Sequence, residues 1–135
     1  YYGDAGAGLH ANATVTDPEP VKGMQLGTGS TAAAKTGAGA AIVTYITGSN
    51  NAIDGTVPTS GLNGSSRRIT WETTWGAGDS TNAAIAEAAI VNPATFADSG
   101  AAAADTISRV VFGATIDKQA GDTLTVTWYH DLLGA

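Results

Sequence analysis

The segment Arg68-Ile-Thr-Trp-Glu-Thr-Thr-Trp75 alternates without interruption. Ile69, Trp71, Thr73 and Trp75 fall on one side, and Arg68, Thr70, Glu72 and Thr74 on the other. Side chains alternate across a strand with period two, so this stretch predicts a β-strand with one buried and one wetted face. Ile69 shares the tryptophan face and marks it as core. An exposed Trp71–Trp75 pair would instead make a stacking platform for a sugar.

Two further segments carry the same signature. Thr106–Ile116 places Val110, Phe112, Ala114 and Ile116 on one face. Thr123–His130 places Leu124, Val126 and Trp128 opposite Thr123, Thr125, Thr127 and Tyr129. With Asp117–Asp122 as a connection of hairpin type, these two strands are expected to pair antiparallel. Ala41–Thr47 is β-branched and aromatic and predicts a strand. Val21–Leu26 predicts a short one, closed by Gly27-Thr28-Gly29-Ser30. Thr31–Ala40 reads as loop or weak helix, and Gly48–Ser66, dense in Gly, Ser, Asn and Pro, as a long surface loop.

Asn82–Val91 is ambiguous on its own. It is Ala-rich and scores as helix on propensity, with Ser80 or Thr81 as a cap, whereas its all-β neighbourhood argues for strand. At 135 residues the chain fits one domain. Residues 1–20 end in Asp17-Pro18-Glu19-Pro20 and read as an extended N-terminal arm, leaving 21–135 as a β-sandwich. The expectation is an all-β fold, an antiparallel β-sandwich, with under about a tenth of its residues in helix.

Composition narrows the function classes. Six basic residues against twelve acidic ones give a net charge of -6, the wrong sign for a phosphate-binding surface, so no nucleic-acid partner is expected. Arg67-Arg68, the only local basic pair, reads as solvated side chains or ion-pair partners. No apolar run reaches the roughly 18 residues of a membrane helix, and no membrane partner is expected. The start, Tyr1-Tyr2-Gly3-Asp4, shows neither the basic nor the apolar region of a signal peptide. Cys is absent, which removes disulfides, thiolate nucleophiles and Cys-zinc sites together.

No motif supports catalysis. Gly27-Thr28-Gly29-Ser30-Thr31-Ala32 matches the dinucleotide fingerprint in letters. That fingerprint needs a following helix and an acid about 20 residues on; Gly37 and Gly39 interrupt the first, and the next acid is Asp54. His10 and His130 are the only histidines, and His130 beside Asp131 reads as a strand-end surface group rather than a base. Asp54, Asp79, Asp98, Asp117 and Asp122 sit in turn contexts without the spacing of a calcium loop. No enzymatic activity, catalytic residue, cofactor-binding residue or metal ligand is predicted.

Glu87 and Arg109 stand apart. In a strand over 83–91, Glu87 shares a face with Ile85, Ala89 and Val91, and Arg109 breaks the apolar run of its own strand in the same way. A carboxylate on an apolar face needs a partner. Pairing the two satisfies both charges and fixes the register between their strands; the alternative is that each faces solvent.

The order of segments resembles a group of small structural proteins of tailed bacteriophages. The likeness lies in Leu26-Gly-Thr-Gly-Ser-Thr-Ala32, Glu87-Ala-Ala-Ile-Val-Asn92, and Arg109-Val-Val-Phe112 through Lys118 to Gly121-Asp-Thr-Leu-Thr-Val-Thr-Trp128, covering roughly residues 21–130. Ala89, Ile90 and Val91 depart from the group's usual Gly-Leu-Phe. The resemblance implies a strand at 83–91, a jelly-roll type of sandwich and a virion protein on the capsid exterior. It would act as a capsid decoration, or cement, protein bridging the major capsid protein, with other copies of itself as a homo-oligomer, a trimer being one form. Tyr1, Tyr2 and Leu9 would anchor the arm on a neighbour. A tail, fibre or baseplate component is the nearest alternative, and a carbohydrate-binding β-sandwich module the second.

Overall fold

A computed structural model describes residues 21, 23–55, 58–92 and 97–132. Tyr1, Tyr2, Leu9 and the rest of the N-terminal segment 1–20 lie outside the described residues. Among the described residues there are seven strands: β1 (Gly23–Gly27), β2 (Asn51–Ala52), β3 (Thr59–Asn63), β4 (Ser66–Trp75), β5 (Asn82–Val91), β6 (Thr106–Lys118) and β7 (Leu124–Leu132). Among the described residues the only helical turns are two short 3-10 segments, Gly37–Ala40 and Ala103–Asp105.

The strands form two antiparallel sheets, in the orders β2-β1-β5-β6 and β3-β4-β7. One apolar core lies between them, in sandwich fashion. Met24, Leu26, Ile85, Ala88 and Ile90 of the larger sheet meet Ile69, Trp71 and Trp75 of the smaller one. Trp71 and Trp75 are 2% and 1% exposed, so neither offers a stacking surface. The alternation read from 68–75 thus sorts inner from outer residues correctly, and burial of two indoles supplies much of the core's apolar area.

β5 is the Ala-rich segment whose propensity pointed to helix. Every residue from Ile85 to Val91 is buried, because β5 is a central strand covered on both faces. Small side chains suit that position, and packing overrides propensity. The face assignment differs from expectation. A register shift between Ile85 and Glu87 turns Ile85 inward with Ala88 and Ile90, leaving Glu87, Ala89 and Val91 on the outer face. A bulge changes the phase of every residue beyond it.

Three other expectations are corrected. The first concerns β6 and β7, which do not pair with each other; β6 pairs with β5 and β7 with β4, in different sheets. Each strand carries one apolar face, and both faces turn toward the shared core, where Phe112, Ile116, Leu124, Val126 and Trp128 are partly buried.

The second is Ala41–Thr47, which is not a strand. Only Tyr45 bridges to Gly27, because the neighbouring backbone groups are engaged elsewhere. Third, the loop expected over 48–66 contains β2 and β3, and β3 returns into β4 through a turn in which Gly64 takes φ +61, a conformation that favours glycine.

The outer face of the larger sheet is not left to solvent. Ile42, Tyr45 and Ala101 pack over Ala89 and Val91 as a second, smaller apolar cluster. Gln25 ties the 97–101 segment to β1, its Nε2 donating to the Ser99 carbonyl at 2.7 Å and its Oε1 accepting from Ala101 N at 2.8 Å.

Candidate functional site

Glu87 and Arg109 are brought together on this covered outer face. Arg109 Nε donates to Glu87 Oε2 at 2.6 Å, with the two side chains 2% and 0% exposed. The pair is not bidentate. Arg109 spends its other donors on backbone carbonyls, Nη1 to Gly39 at 3.1 Å and Nη2 to Thr31 at 2.8 Å. Glu87 Oε1 accepts from Gly29 N at 2.8 Å, Thr44 N at 3.0 Å and Val43 N at 3.1 Å. Both charges are therefore surrounded by partners, which a buried ion pair needs if desolvation is to be offset.

These bonds explain the segment that failed to become a strand. The N–H groups of Val43 and Thr44 point at the carboxylate instead of at a neighbouring strand. The Thr44 carbonyl accepts from Thr28 N at 2.8 Å, and Ile46 N reaches the Leu26 carbonyl at 3.0 Å. Residues 28–46 are thus folded over β5 and pinned there by one anion.

The Gly-rich run has a steric reason. A Cβ at Gly29 would lie 2.5 Å from Glu87 Oε1 and 2.6 Å from the Val43 Cβ. A Cβ at Gly27 would collide with Glu87 Oε1 and the Thr44 carbonyl, and one at Gly39 with the Ala32 carbonyl. Close backbone approach to an anion also underlies the dinucleotide fingerprint. Here the anion is an internal carboxylate. It is closed off from solvent and serves as the counter-ion of Arg109.

The remaining candidates are placed as follows. Arg68 pairs with Asp131, Nε to Oδ1 at 2.7 Å and Nη2 to Oδ2 at 2.8 Å, and its guanidinium lies 4.4 Å from the Tyr129 ring centroid. That guanidinium holds the Asp131 carboxyl below the usual range. Three of the aspartates serve turns: Asp79 accepts from Gly76 N, Asp122 from Gln119 N and Asp117 from the Gln119 side chain, whereas Asp54 accepts from the Thr74 hydroxyl of β4. Asp98 accepts from Gly48 N and the Tyr45 hydroxyl, and these bonds lower its pKa. Burial, then the Asp98 bond, raises that of Tyr45. Among the described residues no three His, Asp or Glu side chains gather in a metal-binding group.

His130 differs from expectation. It is half-buried rather than a surface group, 4.7 Å edge-on to Trp71, with Nε2 accepting from Trp128 Nε1 at 3.1 Å. Burial lowers its pKa. Its neighbour Asp131 is engaged with Arg68, so the His-Asp adjacency in sequence has no counterpart in space.

Lys118 went unremarked as a site in the sequence. It is 1% exposed, and its Nζ donates to the carbonyls of Gly76 and Asp122, both at 2.8 Å, tying the β6–β7 connection to the turn after β4. The backbone donors of Gly29, Val43 and Thr44 carry no side-chain signal at all, and the glycines around them read in the sequence only as the close of a strand.

No protein-family model, curated protein or solved structure matches the chain.

Proposed function

We propose that the chain is a structural protein of a tailed-bacteriophage virion, a capsid decoration protein of jelly-roll type that binds the major capsid lattice on the outside of the shell. The observation that carries this reading is the convergence of its three phage-like segments. Gly27, Gly29 and Thr31 of the first, Glu87 of the second and Arg109 of the third meet in one buried cluster. Segments that depend on each other physically are less readily matched by chance than three isolated glycine-rich or β-rich strings.

The rest of the chemistry supports a binding part rather than a reactive one. The conspicuous charged pair is sealed from solvent, and the net charge of -6 suits a surface kept apart from packaged DNA. Such a protein stabilises the shell by mass action, since it binds the assembled lattice and favours that state. Repetition by symmetry turns modest contacts into firm retention.

Counting copies in purified virions by quantitative mass spectrometry, with the density located in a particle reconstruction, tests the proposal. The expected result is a copy number in the hundreds, spread over the shell. A few to tens of copies confined to tail or fibre would reject it in favour of an axial component. The sugar-binding alternative loses its stacking platform with the burial of Trp71 and Trp75.

A further inference from the structure

The hairpin between β3 and β4 ends in a reactive pair. Asn63-Gly64 is the only Asn-Gly sequence in the chain. The β3–β4 ladder closes at Asn63 and Ser66, so Gly64 and Ser65 form a two-residue turn outside it. Asn63 and Gly64 are both exposed, as is every residue of β3. A Cβ at Gly64 would meet nothing within 4 Å, so no neighbouring group closes over the turn from that side. Exposed strand ends of this kind open locally far more readily than a core strand does.

The chemistry is that of an asparagine side chain and the backbone nitrogen that follows it. The Gly64 nitrogen gives its proton to solvent base and attacks the Asn63 Cγ. The new N–C bond forms as the Cγ–Nδ2 bond breaks, and ammonia leaves with a proton taken from water. A second water opens the resulting five-membered imide at either carbonyl. One opening leaves aspartate, and the other leaves isoaspartate, in which the main chain runs through the former side chain. A side chain on the attacking residue obstructs the closure, whereas glycine has none and turns freely into the ring geometry.

The surroundings of Asn63 make the change consequential. Its Nδ2 reaches past β4 to donate to Asp131 Oδ2 at 3.2 Å, and Asp131 is gripped by Arg68 at 2.7 and 2.8 Å. Loss of the amide exchanges that donor for a second carboxylate, and like charges so close repel. Isoaspartate also inserts one main-chain carbon beside the closing pair, which takes position 63 out of step with Ser66. The disturbance stops at β4, because β7 holds that strand from its other side all along Arg67–Trp75.

We propose that Asn63 is a site of spontaneous deamidation, a one-way covalent change that adds a negative charge at the hairpin tip and loosens β3 from β4 while the sandwich stays folded. Water is the only co-reactant, and the site does not depend on the virion reading.

Ageing the full chain in mildly alkaline buffer, followed by peptide mapping with electron-transfer fragmentation, tests it. The expected result is loss of the Asn63 amide ahead of every other asparagine, at no less than about one-tenth of the rate in a free peptide of residues 60–67. Aspartate and isoaspartate both form, each with one oxygen drawn from labelled water. Asn63→Gln, which would have to close a six-membered ring, is expected to keep its amide over the same period. In the aged chain, hydrogen exchange is expected to quicken at least about tenfold in 59–66 while β5 stays protected. A rate below that tenth, earlier loss at another asparagine, equal amide loss in Asn63→Gln, or unchanged exchange of 59–66 after conversion overturns the proposal.

Discussion

Arg109 Nε lies 2.6 Å from Glu87 Oε2 on the outer face of the larger sheet, yet the two residues do not face each other across the ladder. Glu87 is opposite Val111, and Arg109 opposite Ala89, so the ion pair runs diagonally between β5 and β6. A slip of one residue would carry either charge to the apolar inner face. The pair therefore specifies register as well as filling its own site.

Breaking that pair from one side is expected to be costly. Glu87→Gln or Arg109→Met alone should destabilise by about 3–5 kcal/mol, because each leaves a buried group without its counter-charge. The double variant should lose clearly less than the sum, with a coupling of at least about 1 kcal/mol. Urea unfolding of the four proteins measures it, and a coupling near zero would mean that the backbone partners alone carry the cluster.

Gly29→Ala should be damaging for a reason unrelated to backbone freedom. Its new methyl would stand 2.5 Å from Glu87 Oε1 and force the carboxylate off its three N–H donors. A loss of about 2–4 kcal/mol is expected, in the range of core overpacking plus broken charged hydrogen bonds. Gly61→Ala in β3 meets nothing within 4 Å and serves as the control, with an expected change within about 0.5 kcal/mol. Thermal melts of the two variants side by side decide the point.

How much of this was legible beforehand depends on the kind of residue. Alternation exposed β4, β6 and β7, because large apolar and polar side chains take turns there. Glu87 and Arg109 stood out as charges in apolar surroundings. What pairs with what was not legible. The faces of β6 and β7 look the same whether the strands lie side by side or one above the other across the core. The 41–47 segment has the composition of a strand, and only the three-dimensional position of a carboxylate 43 residues further on diverts its N–H groups. The bulge that turns Ile85 inward leaves no mark in a run of alanines.

His130 gives the protein a pH response. Its folded-state pKa lies below the ordinary 6.5, chiefly through burial, so the unfolded chain takes up the proton more readily. Stability is expected to be complete above about pH 6.5 and to fall as pH drops through the lower folded value. Protonation also turns Nε2 from acceptor to donor against the Trp128 N–H, so the fluorescence of that indole should titrate in step. His130→Gln should flatten the profile between pH 7 and 5. The carboxylates of Asp98 and Asp131, both with lowered pKa values, add a separate loss only at more acidic pH.

Lys118→Met keeps most of the buried stem and removes the ammonium. The carbonyls of Gly76 and Asp122 then lose their donor, at an expected cost of about 1–3 kcal/mol. The effect should be local as well. Hydrogen exchange is expected to quicken at 76–80 and 119–123, where Gly78 N bonds the Ala120 carbonyl, and to stay slow in β5. Unchanged exchange in the two turns would remove Lys118 as their link.

The bonds that seal Glu87 and Arg109 join residues 58, 43 and 78 positions apart. Such contacts form only after long loops have closed, which places the protein among slow folders, on the scale of milliseconds to seconds. Dehydration of the carboxylate late, after β5 has found its neighbours, is the order of events expected from those separations. Interactions missing from the transition state act on the rate of unfolding rather than of folding. Once assembled, the molecule keeps its shape for as long as water is kept from returning to one buried side chain.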